Sequence, residues 1–267
     1  MLIQKPRRAN ADLTLGSDAI LREAVERITH ANKLTSQRRN FLRSTLTLGG
    51  LSMLTGCMLD DSASITSALT KISRINDDVQ GFLFDPTRLA PTYPDSMITR
   101  PFPFNAYYGE NEVRVVKEEG YQLEVTGMVT DKRKWTLPEL RAMPQADQVT
   151  RHICVEGWSA IGKWGGVPFA SFLKLVGADT TAKYVGFKCA DDYFTSIDMP
   201  TALHPQTLLA LTYDGQVLPP KYGFPMKLRM PTKLGYKNPK HIQAIFVTNT
   251  YPGGYWEDQG YNWFGGS

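Results

Sequence analysis

Residues 151–173 read RHICVEGWSAIGKWGGVPFASFL, and this stretch sets one cysteine, Cys154, between a strand-like run and a segment dense in glycine and tryptophan. Residues 149–155 alternate in polarity and are β-branched enough to predict a strand. Gly157, Gly162, Gly165 and Gly166 fit poorly inside a regular element, which predicts backbone folded closely around something. Pro168 then opens, and Gly177 closes, a short helix predicted over 168–176. Cys154 therefore sits where a strand gives way to a loop, a place where a rigid scaffold presents a side chain for chemistry. By residue type and spacing alone, a lone cysteine reads more readily as a small buried hydrophobe.

The rest of the chain supplies a scaffold of short pieces. A hairpin is predicted from 121–129 and 135–137, followed by a helix over 137–143 capped by Thr136. Strands are predicted over 183–189 and 193–197, with the polar turn Ala190-Asp191-Asp192 between them. Asp214-Gly215 after the apolar run 208–213 is a two-residue hairpin signal, and further strands are predicted over 226–230 and 241–249. Short helices among many irregular strands give a mixed, mostly β, α+β domain over 102–267.

The ends of the chain carry a different signal. Its formal net charge is +4, but residues 1–56 hold 9 of the 30 Lys/Arg and 4 of the 26 Asp/Glu. The remainder, with 21 basic against 22 acidic side chains, lacks the basic surface that a nucleic-acid partner requires. Ser36-Gln37-Arg38-Arg39-Asn40-Phe41-Leu42 is a twin-arginine pattern, followed by an uncharged run over 44–56 that is too short to span a bilayer. It closes on Leu54-Thr55-Gly56-Cys57, which resembles a lipobox and marks Cys57 for lipidation. These features predict a signal region over 1–57, export by the twin-arginine route to the periplasm, and a lipid anchor on the membrane. A helix is predicted over 17–31, and residues 58–101, rich in Ser, Thr, Asp and Pro, read as a tether.

Cys154-Val155-Glu156-Gly157-Trp158-Ser159, followed by Lys163-Trp164-Gly165-Gly166-Val167-Pro168, resembles the molybdenum-ligand motif of the sulfite oxidase family of molybdopterin enzymes. Within that family it is most similar to the bacterial periplasmic type that includes the methionine-sulfoxide reductase catalytic subunit. The resemblance covers about residue 102 to the C-terminus and implies a sulfite-oxidase-type fold. It further implies a molybdenum–molybdopterin cofactor whose metal is held by one pterin dithiolene and by Cys154, a soft donor suited to such a metal.

The same resemblance marks Asn105, Tyr108 and Gly109 as a pterin-lining stretch, and Asn238, Pro239 and Lys240 as a phosphate-binding turn. Lys227 stands where relatives carry Arg, which keeps the charge but loses the bidentate fork. Tyr222 stands where relatives carry His or Asn, and Cys189 where the most similar carry Thr. Lys227, Arg229, Lys233, Lys237 and Lys240 together form a basic segment suited to the pterin phosphate, and equally to a solvated face. Arg151, three residues before the cysteine, is a catalytic candidate for holding an anionic substrate. His152 falls on the opposite strand face and reads as structural, and Glu156 is given no proton role. His204 is a second-tier candidate, and the aromatic run 253–264 is expected to cover one side of the domain.

The implied activity is two-electron oxygen-atom transfer on a small sulfoxide, sulfite-like or other oxyanion substrate. With no haem-binding Cys-x-x-Cys-His and no second cysteine cluster, the chain requires a separate electron-transfer partner. Family likeness suggests a membrane haem protein or a soluble cytochrome. Two other readings stay open on residues alone. One is a Cys–His thiol hydrolase using His152, His204 or His241 as base; the other is a lipoprotein binding module without cofactor.

Overall fold

The computed structural model of the chain describes residues 62–267. The chain divides into units Met1–Ile65 and Thr66–Ser267, and the second holds the folded domain. Arg38, Arg39, Cys57 and the helix expected over 17–31 lie outside the described residues.

Two five-stranded sheets build the domain. In the first, β1 (Gln122–Gly127) pairs antiparallel with β2 (Trp135–Thr136) and parallel with β10 (Ile242–Thr248). β10 then pairs with β5 (Tyr184–Cys189), and β5 with β6 (Phe194–Asp198), both antiparallel. The second sheet runs β3 (Ala146–Ile153), β4 (Ser159–Pro168) and β7 (Leu208–Tyr213), all antiparallel. The far edge of β7 is shared by β8 (Gln216–Val217) and β9 (Lys227–Arg229). The expected hairpins all form. At the β7–β8 turn, Asp214 and Gly215 take φ of 49° and 75°, the left-handed pair that a tight hairpin needs.

Short helices close the core. In α2 (Leu137–Ala142) the Thr136 hydroxyl accepts from the Glu139 amide while the Glu139 carboxylate accepts from the Thr136 amide, a reciprocal cap that fixes the start of the helix. α3 (Phe169–Leu175) buries Phe169, Phe172 and Leu173. α4 (Met199–Ala202) is capped by Asp198. Leu123, Val125, Phe187, Leu209, Leu228, Ile245 and the α3 side chains join one hydrophobic core drawn from both sheets. A smaller aromatic cluster gathers Phe102, Trp164, Tyr213 and Tyr222.

Two expectations need correction. Gly162, Gly165 and Gly166 do not form a loop; they lie inside β4. A Cβ on Gly166 would stand 2.0 Å from the Leu209 carbonyl oxygen, next to a register shift between β4 and β7, so glycine here marks crowding by a neighbouring strand. Only Gly157, with φ of 92°, serves the turn itself.

The segment expected as a tether is also structured. It contains α1 (Ser62–Leu83), whose Asp77 and Gln80 side chains accept from the backbone amides of Phe264 and Gly266 at 2.8 and 3.1 Å. Thr92 then bridges Thr150 and the Tyr93 amide donates to Val149 at 3.0 Å, extending the β3 edge. Polar composition hid this because it is side-chain and backbone hydrogen bonding, more than apolar burial, that docks the segment.

Candidate functional site

Cys154 directly follows β3 and is 4% exposed. Its amide donates to the Trp158 carbonyl at 2.9 Å and its carbonyl accepts from Gly157 at 3.1 Å, so a closed turn holds the thiol at the β3–β4 corner. Asn105 Nδ2 donates to Sγ at 3.2 Å. Glu156 Oε2 lies 3.7 Å from Sγ and accepts from the Trp158 indole at 2.8 Å. Burial pushes the Cys154 thiol up, opposed by backbone donors and reinforced by the Glu156 carboxylate.

The thiol opens on a cavity of about 110 Å³ lined by Asn105, Cys154, Asn238, Pro239 and Lys240, all marked in the sequence. Tyr107, Asp191, Tyr193, Gly235, Tyr236, Trp256 and Tyr261 also line it and were not marked as site residues. Among these, Asp191 sits in a turn after β5 with its backbone carbonyl bonded to the Tyr107 hydroxyl and its carboxylate accepting from Tyr108 at 3.0 Å. The one sequence signal for it was the polar pair Asp191-Asp192 at a strand-to-strand turn. Tyr107 is pushed up to about 12 and Tyr108 higher still, in both cases by burial first and the Asp191 charge second.

Other expected residues fall elsewhere. Tyr108 is a second layer, bonded to Asp191 and 3.5 Å from His241 Nε2. Gly109 starts a short 3₁₀ turn, where its amide donates to Glu112. Cys189 is a buried free thiol at the end of β5, and Cys154 is free as well. Tyr222 donates to the Phe102 carbonyl at 2.8 Å and packs in the aromatic cluster. His204 has both ring nitrogens engaged, by Arg88 and Gln206.

Arg151 does not face the cavity beside Cys154. It is exposed, lies 5.4 Å over the Tyr93 ring and lines a separate groove with Arg88 and Pro231. The alternation of β3 instead turns His152 inward, fully buried. His152 Nδ1 and Nε2 are both without a partner, and a Cβ on Gly235 would stand 2.8 Å from Nε2, so the backbone of the cavity wall touches this ring.

The basic segment splits in two. Lys233 pairs with Asp198, and Lys237 with Glu257, both lysines deeply buried. Lys227, Arg229 and Lys240 form the other group, also buried, and among the described residues none of them makes a salt bridge. Arg229 donates to Arg151 O at 2.6 Å and Thr150 Oγ1 at 3.1 Å, but its Nε is unpartnered. Burial and mutual repulsion push Lys227 well below the ordinary lysine value, burial holds Lys240 near 8, and the same cations add to the burial that depresses His152. Three buried basic side chains that make no salt bridge among the described residues, beside a buried imidazole with no partner, suit an anion. Of the three, Lys240 lines the cavity with Cys154, and a soft sulfur donor with an ammonium in one cavity fits a metal-bearing pterin phosphate.

Residues 110–256 match the family described as "Oxidoreductase molybdopterin binding domain". Over 260 residues the chain is 68% identical to the "Putative protein-methionine-sulfoxide reductase subunit YedZ1" of Azospira oryzae, covering 97% of this chain and 99% of that protein. It is 30% identical over 161 residues to the "Protein-methionine-sulfoxide reductase catalytic subunit MsrP" of Ralstonia nicotianae, covering 54% of this chain and 49% of that one. The MsrP of Xanthomonas campestris pv. campestris gives 32% over 161 residues, covering 54% and 50%. The chain thus spans about half the length of those MsrP matches. Sulfane dehydrogenase SoxCD from Paracoccus pantotrophus superposes with a TM-score of 0.49 at 18% identity, covering 52% of this chain and 40% of that one, an overlap too small to carry an assignment.

Proposed function

The chain belongs to the oxidoreductase molybdopterin-binding domain family, and on that premise we propose that it is an exported enzyme transferring an oxygen atom, with two electrons, to or from a small sulfoxide or related oxyanion. When bound, the molybdenum cofactor supplies this two-electron chemistry, and the protein positions and tunes it. The observation that carries the reading is the convergence in one cavity of a buried thiol, its amide donor Asn105 and the buried Lys240, drawn from segments far apart in sequence.

In this reading Cys154 is the protein ligand to the metal. Asn105 donates to its sulfur, fixing the thiolate and drawing electron density from it. Lys227, Arg229 and Lys240 neutralise the phosphate end, with Lys in place of Arg at 227 giving a point charge instead of a fork. Asn238 is committed to structure as well, since its side-chain oxygen accepts from the Met230 amide at 2.7 Å, and it shapes the Asn238-Pro239-Lys240 turn. Asp191, held by Tyr107 and Tyr108, puts a carboxylate on the cavity wall where it can orient a polar substrate group.

The sulfoxide class follows from the names of the relatives. Their description as subunits supports a separate electron partner, a membrane haem protein or soluble cytochrome. The twin-arginine pattern and Cys57 support a periplasmic, lipid-anchored location.

The thiol-hydrolase alternative finds no support: the polar groups beside Cys154 Sγ are Asn105 and Glu156, and among the described residues no imidazole reaches it within hydrogen-bond distance. The cofactor-free binding module would leave the cation cradle without an anion. Elemental analysis of protein purified from a host that makes molybdopterin separates the readings. Near-stoichiometric molybdenum is expected, and protein that stays free of molybdenum while folded overturns the proposal.

A further inference from the structure

Helix α1 presents two unlike faces. One is docked, through Asp77 and Gln80 to the backbone of Phe264 and Gly266. On the other, Ile72 and Ile75 are each 62% exposed, Val79 is 49% exposed and Phe82 88%. Their spacing of three and four residues makes one apolar stripe along the helix. With Leu83, this stretch holds five of the fourteen large hydrophobics exposed among the described residues, a concentration that water-facing surfaces avoid.

Three features identify a lipid bilayer as the occupant of this face. α1 begins at Ser62, five residues after Cys57, and five extended residues reach no more than about 18 Å, so a lipid on Cys57 keeps the helix start within that distance of the membrane surface. No described helix is long and apolar enough to cross a membrane, and Lys71, Arg74, Asp77 and Asp78 interrupt α1, leaving the amphipathic type that lies in the interface. Lys71, exposed one turn before Ile75, has an aliphatic stem long enough to pack on the stripe while its ammonium reaches a phosphate.

We propose that α1 lies flat on the bilayer through Ile72, Ile75, Val79 and Phe82, giving the tethered domain a fixed orientation toward the membrane. The proposal rests on the reading of Cys57 as the lipid-bearing residue, and the test keeps the two apart. Full-length holoprotein carrying bimane on Phe82→Cys, or on Arg74→Cys in the groove that the helix lines with Trp263 and Phe264, is reconstituted into phosphatidylethanolamine–phosphatidylglycerol vesicles containing brominated lipid. Mass spectrometry of the N-terminal peptide reports independently whether Cys57 carries lipid.

The label at 82 is expected to be quenched several-fold more than that at 74, and Ile75→Ser with Val79→Ser, both at exposed positions, should abolish the difference. If Cys57 is lipidated and the two labels are quenched equally, bilayer docking is overturned and the anchor stands. If Cys57 is unmodified, the anchor reading fails; strong quenching at 82 then leaves docking standing on the helix alone, and its absence overturns it too. A label at 82 that is immobilised but not quenched shows a protein covering the face and also overturns the proposal.

Discussion

Asn105 and Cys154 are 49 positions apart, yet the Asn105 side-chain amide donates to the Cys154 sulfur at 3.2 Å. A donor to a ligating sulfur stabilises its negative charge and raises the reduction potential of the metal it holds. Asn105→Ala should therefore retain molybdenum while shifting its midpoint potential downward and lowering turnover about 10–100-fold. Redox-poised paramagnetic resonance with metal analysis checks this, and an unchanged potential contradicts a direct role for the Asn105 contact.

Lys237 and Glu257 form an ion pair with both side chains 1% exposed, and Glu257 also accepts from Thr195 at 2.7 Å. Glu257→Ala leaves a buried ammonium without compensation and is expected to cost about 3–5 kcal/mol in urea unfolding. Lys237→Met combined with Glu257→Leu removes both charges and should lose less than the single change. A double variant worse than Glu257→Ala contradicts the pairing.

Much of this arrangement was legible in the sequence, and the failures have physical reasons. Asp214-Gly215 and the Thr136 cap are local signals, so β7–β8 and α2 appear as expected. The period of β3 correctly separates Arg151 from His152, but alternation does not say which face is the core. That is set by Phe102, Trp158 and Gly235, remote in the chain or beyond the turn, which pack on His152, while Arg151 lies over the ring of Tyr93. Likewise the basic run 227–240 divides only because Asp198 and Glu257, remote in sequence, neutralise Lys233 and Lys237. Gly165 and Gly166 read as a loop because the crowding that requires them comes from β3 and β7, and Gly162 because it comes from the Trp164 and Phe102 rings.

Burial holds Lys240 down to about 8 and Lys233 down to about 7. Both values lie below the ordinary 10.5, so between pH 7 and 10.5 the unfolded chain binds protons that the folded chain does not, and stability rises with pH. Cofactor-free protein should resist urea better at pH 9 than at pH 7, and Lys240→Met should shrink the difference. An anion on Lys240 holds the proton in place, so cofactor-loaded protein should show less of the rise. Flat stability over this window contradicts lysines held down by burial.

In the proposed reading, Arg38 and Arg39 are an export address. Replacing both with Lys is expected to leave active, folded protein on the cytoplasmic side. Fractionation with a periplasmic marker checks it, and normal export of the double variant contradicts the twin-arginine route.

The central claim is that the Cys154 sulfur is bound to molybdenum. Cys154→Ser exchanges a soft donor for a hard oxygen, while the cation cradle of Lys227, Arg229 and Lys240 remains, so the pterin should stay bound and turnover should cease. The deciding measurement is the paramagnetic resonance of the one-electron-reduced Mo(V) state in the two proteins. The account predicts a wild-type signal and a clearly altered one in Cys154→Ser at similar molybdenum content; identical signals contradict sulfur ligation by this residue.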